Sequence, residues 1–109
     1  MFPTRRESSE LEERKRTKFQ IYLDILEALA EELKSEPSPQ PSKLAHRVNL
    51  PYDRFRSCFD YLVQLGLISS NLGKKYAITE KGMEYMREVR RHNEFLRKMG
   101  FTNQIAHYS

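Results

Sequence analysis

A chain of 109 residues, 39% apolar and 31% charged, fits one domain with a small core and disfavours enzymes that need a deep cavity. Its net charge of +4 is modest but uneven: residues 1–18 carry +2, residues 19–50 carry −2, and residues 51–82 and 83–109 carry +2 each. The acidic stretch coincides with the first long helix and the basic stretch starts at Pro51, so a polyanion-facing side is expected in the second half.

The first periodic segment runs from Thr17 to about Ser35, with Phe19, Ile21, Tyr22, Ile25, Leu26, Leu29 and Leu33 at helical spacing on one buried face. Ser9 and Glu12 have the spacing of a capping box, and Glu10–Arg14 and Glu12–Arg16 are favourable i,i+4 pairs. An earlier start of this helix is therefore expected, with residues 1–8 disordered. Pro37, Pro39 and Pro41 break the pattern between Ser35 and Ser42. Ser42 is then expected to cap a short helix, Lys43 to Val48, with Leu44, Ala45 and Val48 turned inward. Asn49-Leu50 makes a tight connection, and Pro51 suits the first position of the next helix.

That third helix spans residues 51–64. Phe55, Cys58, Phe59, Leu62 and Val63 form one apolar face, opposite Tyr52, Asp53, Arg54, Arg56, Ser57, Asp60, Tyr61 and Gln64. Gly66 is expected to stop it in a left-handed conformation. Leu67 to Ser70 and Lys75 to Thr79 flank an Asn71-Leu72-Gly73-Lys74 turn and predict a β-hairpin. Thr79 caps a last helix through Met83, Met86, Val89, Leu96 and Met99 to about Gly100, about 30 Å long and longer than so small a core requires.

Helix, short helix, basic helix, hairpin, long helix is the order of a winged helix-turn-helix: a mainly α chain with a small β-hairpin, of α+β class. Particular phrases agree. Asn49-Leu50-Pro51-Tyr52, Phe59-Asp60-Tyr61-Leu62, Gly66-Leu67-Ile68 and Tyr76-Ala77-Ile78-Thr79-Glu80-Lys81-Gly82 resemble a family of small archaeal winged-helix proteins over about residues 17–99. That family includes chromatin-type DNA-binding proteins that dimerise through the long last helix as an antiparallel coiled coil. The resemblance implies DNA binding and dimerisation. Pro51 stands where the family usually has a serine cap, and the Ser35–Ser42 segment replaces a shorter connection that often carries a third strand, so a two-stranded wing is expected here. The expected division is a tail over 1–8, the winged domain over 9–82, a dimerisation helix over 83–100 and a flexible tail over 101–109.

In a helix-turn-helix the second helix lies in the major groove with its first residues nearest the bases. Tyr52, Arg54, Arg56 and Ser57 are thus the candidate DNA contacts on helix 51–64, with the arginines suited to phosphate or to guanine. Asp53 and Asp60 would repel phosphate unless paired. Lys74 and Lys75, in the wing over residues 70–76, and Lys43 and Arg47, on the short helix, are candidate phosphate contacts, whereas His46 reads as a surface histidine. On the last helix, Val89, His92, Asn93, Leu96 and Met99 form an apolar stripe with an embedded asparagine, the pattern of a homodimer seam in which Asn93 sets register. Met83 and Met86 are expected to pack back on the first helix.

Nothing in the chain points to catalysis or to a bound cofactor or metal. His46, His92 and His107 are scattered, the glycines are isolated, and Cys58 falls on a buried face without a disulfide partner. No run of about 18 apolar residues exists to span a membrane, and the charged opening through Lys18 is unlike a signal peptide. The expectation is a cytoplasmic, nucleoid-associated protein bound to double-stranded DNA. The alternative is a winged-helix module that joins a larger complex through protein contacts, without touching DNA.

Overall fold

The computed structural model describes residues 16–100. Thr17 is extended, at φ −71° and ψ 162°, and its side chain accepts a hydrogen bond from the Gln20 amide, which starts α1, Lys18–Leu33. A capping residue in that conformation interrupts helical hydrogen bonding, so the helix does not run continuously from Ser9 as expected. The Ser9–Glu12 box itself lies outside the described residues, as do the tails 1–8 and 101–109.

Helix α1 is the hub. Ile21, Leu23, Ile25, Leu26, Ala28 and Leu29 are all buried, around more of the helix than one stripe, because the other helices and the hairpin pack against it. Two positions differ from expectation. Phe19 is 61% exposed rather than buried, since the first turn projects past the packed core. Glu32 is buried although charged.

The Pro segment leads into α2, Pro41–Arg47. Gln40, not Ser42, is its cap and makes no side-chain bond; Pro41 takes the first helical position, where its fixed φ is pre-set and its missing N–H costs nothing. Asn49, at φ 64°, ends the helix: its amide donates to the His46 carbonyl and the Leu50 amide to the Ala45 carbonyl, both at 3.1 Å. This stop turns Val48 and Leu50 into the core.

Pro51 is the cap of α3, Tyr52–Gln64, rather than its first residue, and its carbonyl accepts from the Phe55 amide. Phe55, Phe59 and Leu62 are buried and Cys58 and Val63 half-buried, the expected face. Gly66, at φ 85°, ends α3 with bonds from its amide to Val63 and from the Leu67 amide to Leu62. Strand β1, Ile68–Asn71, then pairs antiparallel with β2, Lys75–Ile78, in the register Ile68↔Ile78 to Asn71↔Lys75. Among the described residues the sheet has these two strands, as expected. On the other side of β2 the Pro37 carbonyl accepts a single bond from the Tyr76 amide, while Pro39 is buried, so the Pro segment covers that edge without pairing along it.

Thr79 caps α4, Glu80–Lys98, by accepting from the Gly82 amide. Helix α4 meets the hairpin at Gly82, which lies against Leu67 and Ile78, and continues along α1 through Met86, Val89 and Asn93, a face of three- and four-residue steps. Met83, expected on that face, lies to its side and is 52% exposed.

Candidate nucleic-acid interface

The first half of α3 presents Tyr52, Asp53, Arg54 and Ser57 outward, all exposed. Burying Phe55 fixes this orientation for Arg54 and Ser57, which lie about 100° and about 200° round the helix from it. Asp53 stands in the first turn, where its charge complements the helix N-terminus. Arg56 is half-buried. Its guanidinium lies 3.0 Å from the Asp60 carboxylate and 5.8 Å from the centre of the Phe59 ring.

A chain of contacts joins this face to the hairpin tip. Phe59 meets Tyr76 edge-on with ring centres 5.2 Å apart, and the Tyr76 hydroxyl donates to the Gly73 carbonyl at 3.3 Å. Arg56, Phe59, Tyr76 and Gly73 thus connect helix and hairpin as one unit, and the exposed Lys74 and Lys75 follow directly on Gly73. The pairing of Arg56 with Asp60 is real, but it does not take Arg56 away from the hairpin side.

The helix-turn-helix formed by α2 and α3, continued by this hairpin, agrees with a comparison against protein families: the family described as winged helix-turn-helix matches residues 15–97. The chain belongs to that winged helix-turn-helix family. Among curated proteins, none matches the chain. In that fold α2 and α3 form the helix-turn-helix and β1–β2 the wing.

The winged domain holds Lys43 and Arg47 in a way the sequence reading missed. Both reach back to the buried Glu32 of α1, with Lys43 Nζ 3.3 Å from Oε1 and an Arg47 guanidinium nitrogen 2.6 Å from Oε2. Their spacing of four on α2, opposite a carboxylate three residues after Leu29, was the available signal. Arg47's hydrogen bond outweighs the burial that opposes it and, with Lys43, holds the Glu32 carboxyl below the usual carboxylate range. A lowered folded pKa stabilises the fold above the unfolded value of about 4.3 and ceases to do so as pH falls through the folded value. Stability of a Glu32→Gln variant, followed by urea midpoints from about pH 5 to about pH 3, should therefore decline less steeply than the parent's. Parallel declines would mean that the clamp contributes nothing in solution.

Cys58 is half-buried and burial pushes its thiol up, which makes it a poor nucleophile. Among the described residues no helix is long and apolar enough to cross a membrane.

The expected seam on α4 divides in two. Val89 packs half-buried against the core, and Asn93, expected to set register between copies, donates to Gln20 Oε1 of its own chain at 3.1 Å. Arg90 pairs with Glu27 at 2.9 Å, and the Tyr85 hydroxyl donates to the Phe19 carbonyl at 2.8 Å. Leu96 is half-buried and His92 exposed, and at this end of α4 Phe95 and Met99 are 56% and 60% exposed.

Proposed function

We propose that the protein binds double-stranded DNA, with α3 in the major groove and the wing on the neighbouring backbone, as a sequence-tolerant or moderately specific transcription regulator or nucleoid-associated protein. The observation that carries this reading is the rigid connection from Arg56 through Phe59 and Tyr76 to the wing tip. It sets Tyr52, Arg54, Arg56 and Ser57 in a fixed relation to Lys74 and Lys75. A duplex presents its groove and its flanking phosphates in an equally fixed relation. Lys43 and Arg47 are outer phosphate contacts in this reading. Glu32 uses one donor of each, and the rest of a three-donor ammonium and a five-donor guanidinium is left for phosphate. The apolar end of α4, with Phe95, Leu96, Met99 and His92, supports a homodimer, with Val89 and Asn93 at its inner edge. A dimer brings two recognition helices to one duplex.

The mixed charge of α3 bears on specificity. Asp60 sits on Arg56, so a base or phosphate contact by Arg56 must compete with an ion pair. That competition lowers affinity and favours the tolerant end of the range. The same pair is what supports the second reading, a winged-helix module that docks on protein.

One experiment separates the two readings: titration of a duplex at several salt concentrations, with light scattering of the free protein. About six phosphate contacts should cost about a thousandfold in affinity between 50 and 200 mM salt. The scattered mass should be twice that of the monomer. No duplex binding above background at low salt would favour the protein-docking module.

A further inference from the structure

The wing tip carries a residue that the binding mode above does not use. Leu72 is 87% exposed, more than any other large apolar side chain among the described residues, and its φ is 56°, in the left-handed region. Leucine is disfavoured there on two counts, apolar surface in water and a Cβ crowded by its own backbone. Gly73 follows at φ 68°, and the Lys74 amide donates to the Asn71 carbonyl at 2.9 Å. A turn with positive φ at both central residues selects Asn or Gly at the first of them, and Asn71 stands one position too early to take it.

The strained tip is also firmly held. The Gly73 amide donates to Ser70 Oγ at 3.1 Å, and the Tyr76 hydroxyl donates to the Gly73 carbonyl at 3.3 Å. Leu72 is therefore presented on a stiff support that is anchored, through Tyr76 and Phe59, to the recognition helix. Locally unfavourable placements held this firmly concentrate where function needs them.

The neighbours indicate the kind of partner. Ser69, Ser70, Asn71, Gly73, Lys74 and Lys75 surround Leu72 on the strands and turn, all exposed, and none is apolar. A protein-docking patch gathers several apolar anchors, whereas a wedge between stacked bases needs one, flanked by cations for the phosphate walls of the groove. We propose that Leu72 inserts at a base step in the minor groove and bends the duplex, while Lys74 and Lys75 hold the phosphates on either side. The proposal rests on the DNA-binding reading given above. It adds a preference for pyrimidine–purine steps, which unstack most easily.

The test uses the full chain, a duplex with a central TA step and fluorescent labels at its two ends, and the variants Leu72→Asn and Leu72→Met. Asn suits the turn, so Leu72→Asn should melt at or above the parent's temperature and any loss of binding is not a loss of fold. Its affinity should fall about tenfold, the burial of one apolar side chain, with the salt slope unchanged because no phosphate contact is lost. The energy transfer that reports bending should return to the value of free duplex, whereas Leu72→Met should keep both affinity and bend. A parent that binds but leaves the duplex straight, or a Leu72→Asn variant that bends it as the parent does, overturns the wedge alone. A parent that binds no duplex removes the DNA reading itself.

Discussion

A Gly82→Ala variant is expected to melt about 10 °C below the parent, although alanine is the better helix former. A Cβ built at Gly82 would lie 2.3 Å from the Leu67 carbonyl oxygen and 2.8 Å from Ile78 Cγ2. The first obstacle is backbone and cannot swing aside. That carbonyl already accepts from the Thr79 amide at 3.1 Å and lies 3.1 Å from the Thr79 hydroxyl, so moving it disturbs the cap of α4. Overpacking against fixed atoms costs about 3 kcal/mol, and the helix propensity gained offsets about 1 kcal/mol. The net of about 2 kcal/mol corresponds to about 10 °C for a domain of this size. Thermal melting followed by circular dichroism reads the effect directly. An unchanged melting temperature would mean that α4 slides on the hairpin at no cost, contrary to the packing described.

The same contacts explain why the Ile78-Thr79-Glu80-Lys81-Gly82 phrase signals this fold. Thr79 caps α4 and its hydroxyl also reaches the Gly66 carbonyl, at 2.6 Å. Glu80 places a negative charge at the positive end of that helix, and Lys81 Nζ donates to the Leu65 carbonyl at 2.7 Å, at the end of α3. Gly82 permits the close approach. Four consecutive residues each meet a separate local demand, so the phrase is legible in sequence. The faces of α3, the stops at Asn49-Leu50 and Gly66, and the hairpin itself were legible for the same reason: each is set by neighbours a few residues away. Where two local signals competed, at Pro41 and Ser42, the one that fixes φ prevailed.

What escaped the sequence reading depends on partners distant in the chain. Glu32 became a buried anchor only because α2 brings Lys43 and Arg47 over it, and Asn93 found Gln20 only because α4 returns along α1. Phe19 and Met83 have helical spacing that matches a core, but a periodic pattern does not say where the covering elements end. The candidate site shows the same division. The sequence marked α3 and the wing as separate basic features. Their connection through Arg56, Phe59 and Tyr76 is tertiary, between residues far apart in the chain.

Replacing Arg54 and Arg56 together by alanine should reduce duplex affinity by about a hundredfold or more at low salt, with little change in melting temperature. Each good arginine contact to a base edge is worth about 1–3 kcal/mol, and two lost contacts of about 1.4 kcal/mol each reach a hundredfold. Stability should hold because both arginines interact at the surface: Arg54 is exposed, and the Arg56–Asp60 pair is an i,i+4 interaction worth about 0.5 kcal/mol at most, part of which solvent screens. The salt series then assigns the contacts. If both arginines neutralise phosphates, the slope of log affinity against log salt falls by about 2 and every sequence loses alike. If they read bases, the slope stays and discrimination among duplexes is lost instead. An Asp60→Asn companion sharpens the result, since it frees Arg56 and removes a charge that repels phosphate, and its affinity should rise a few-fold. A double variant that binds duplex as tightly as the parent would take the recognition helix out of the groove, whatever the wing does.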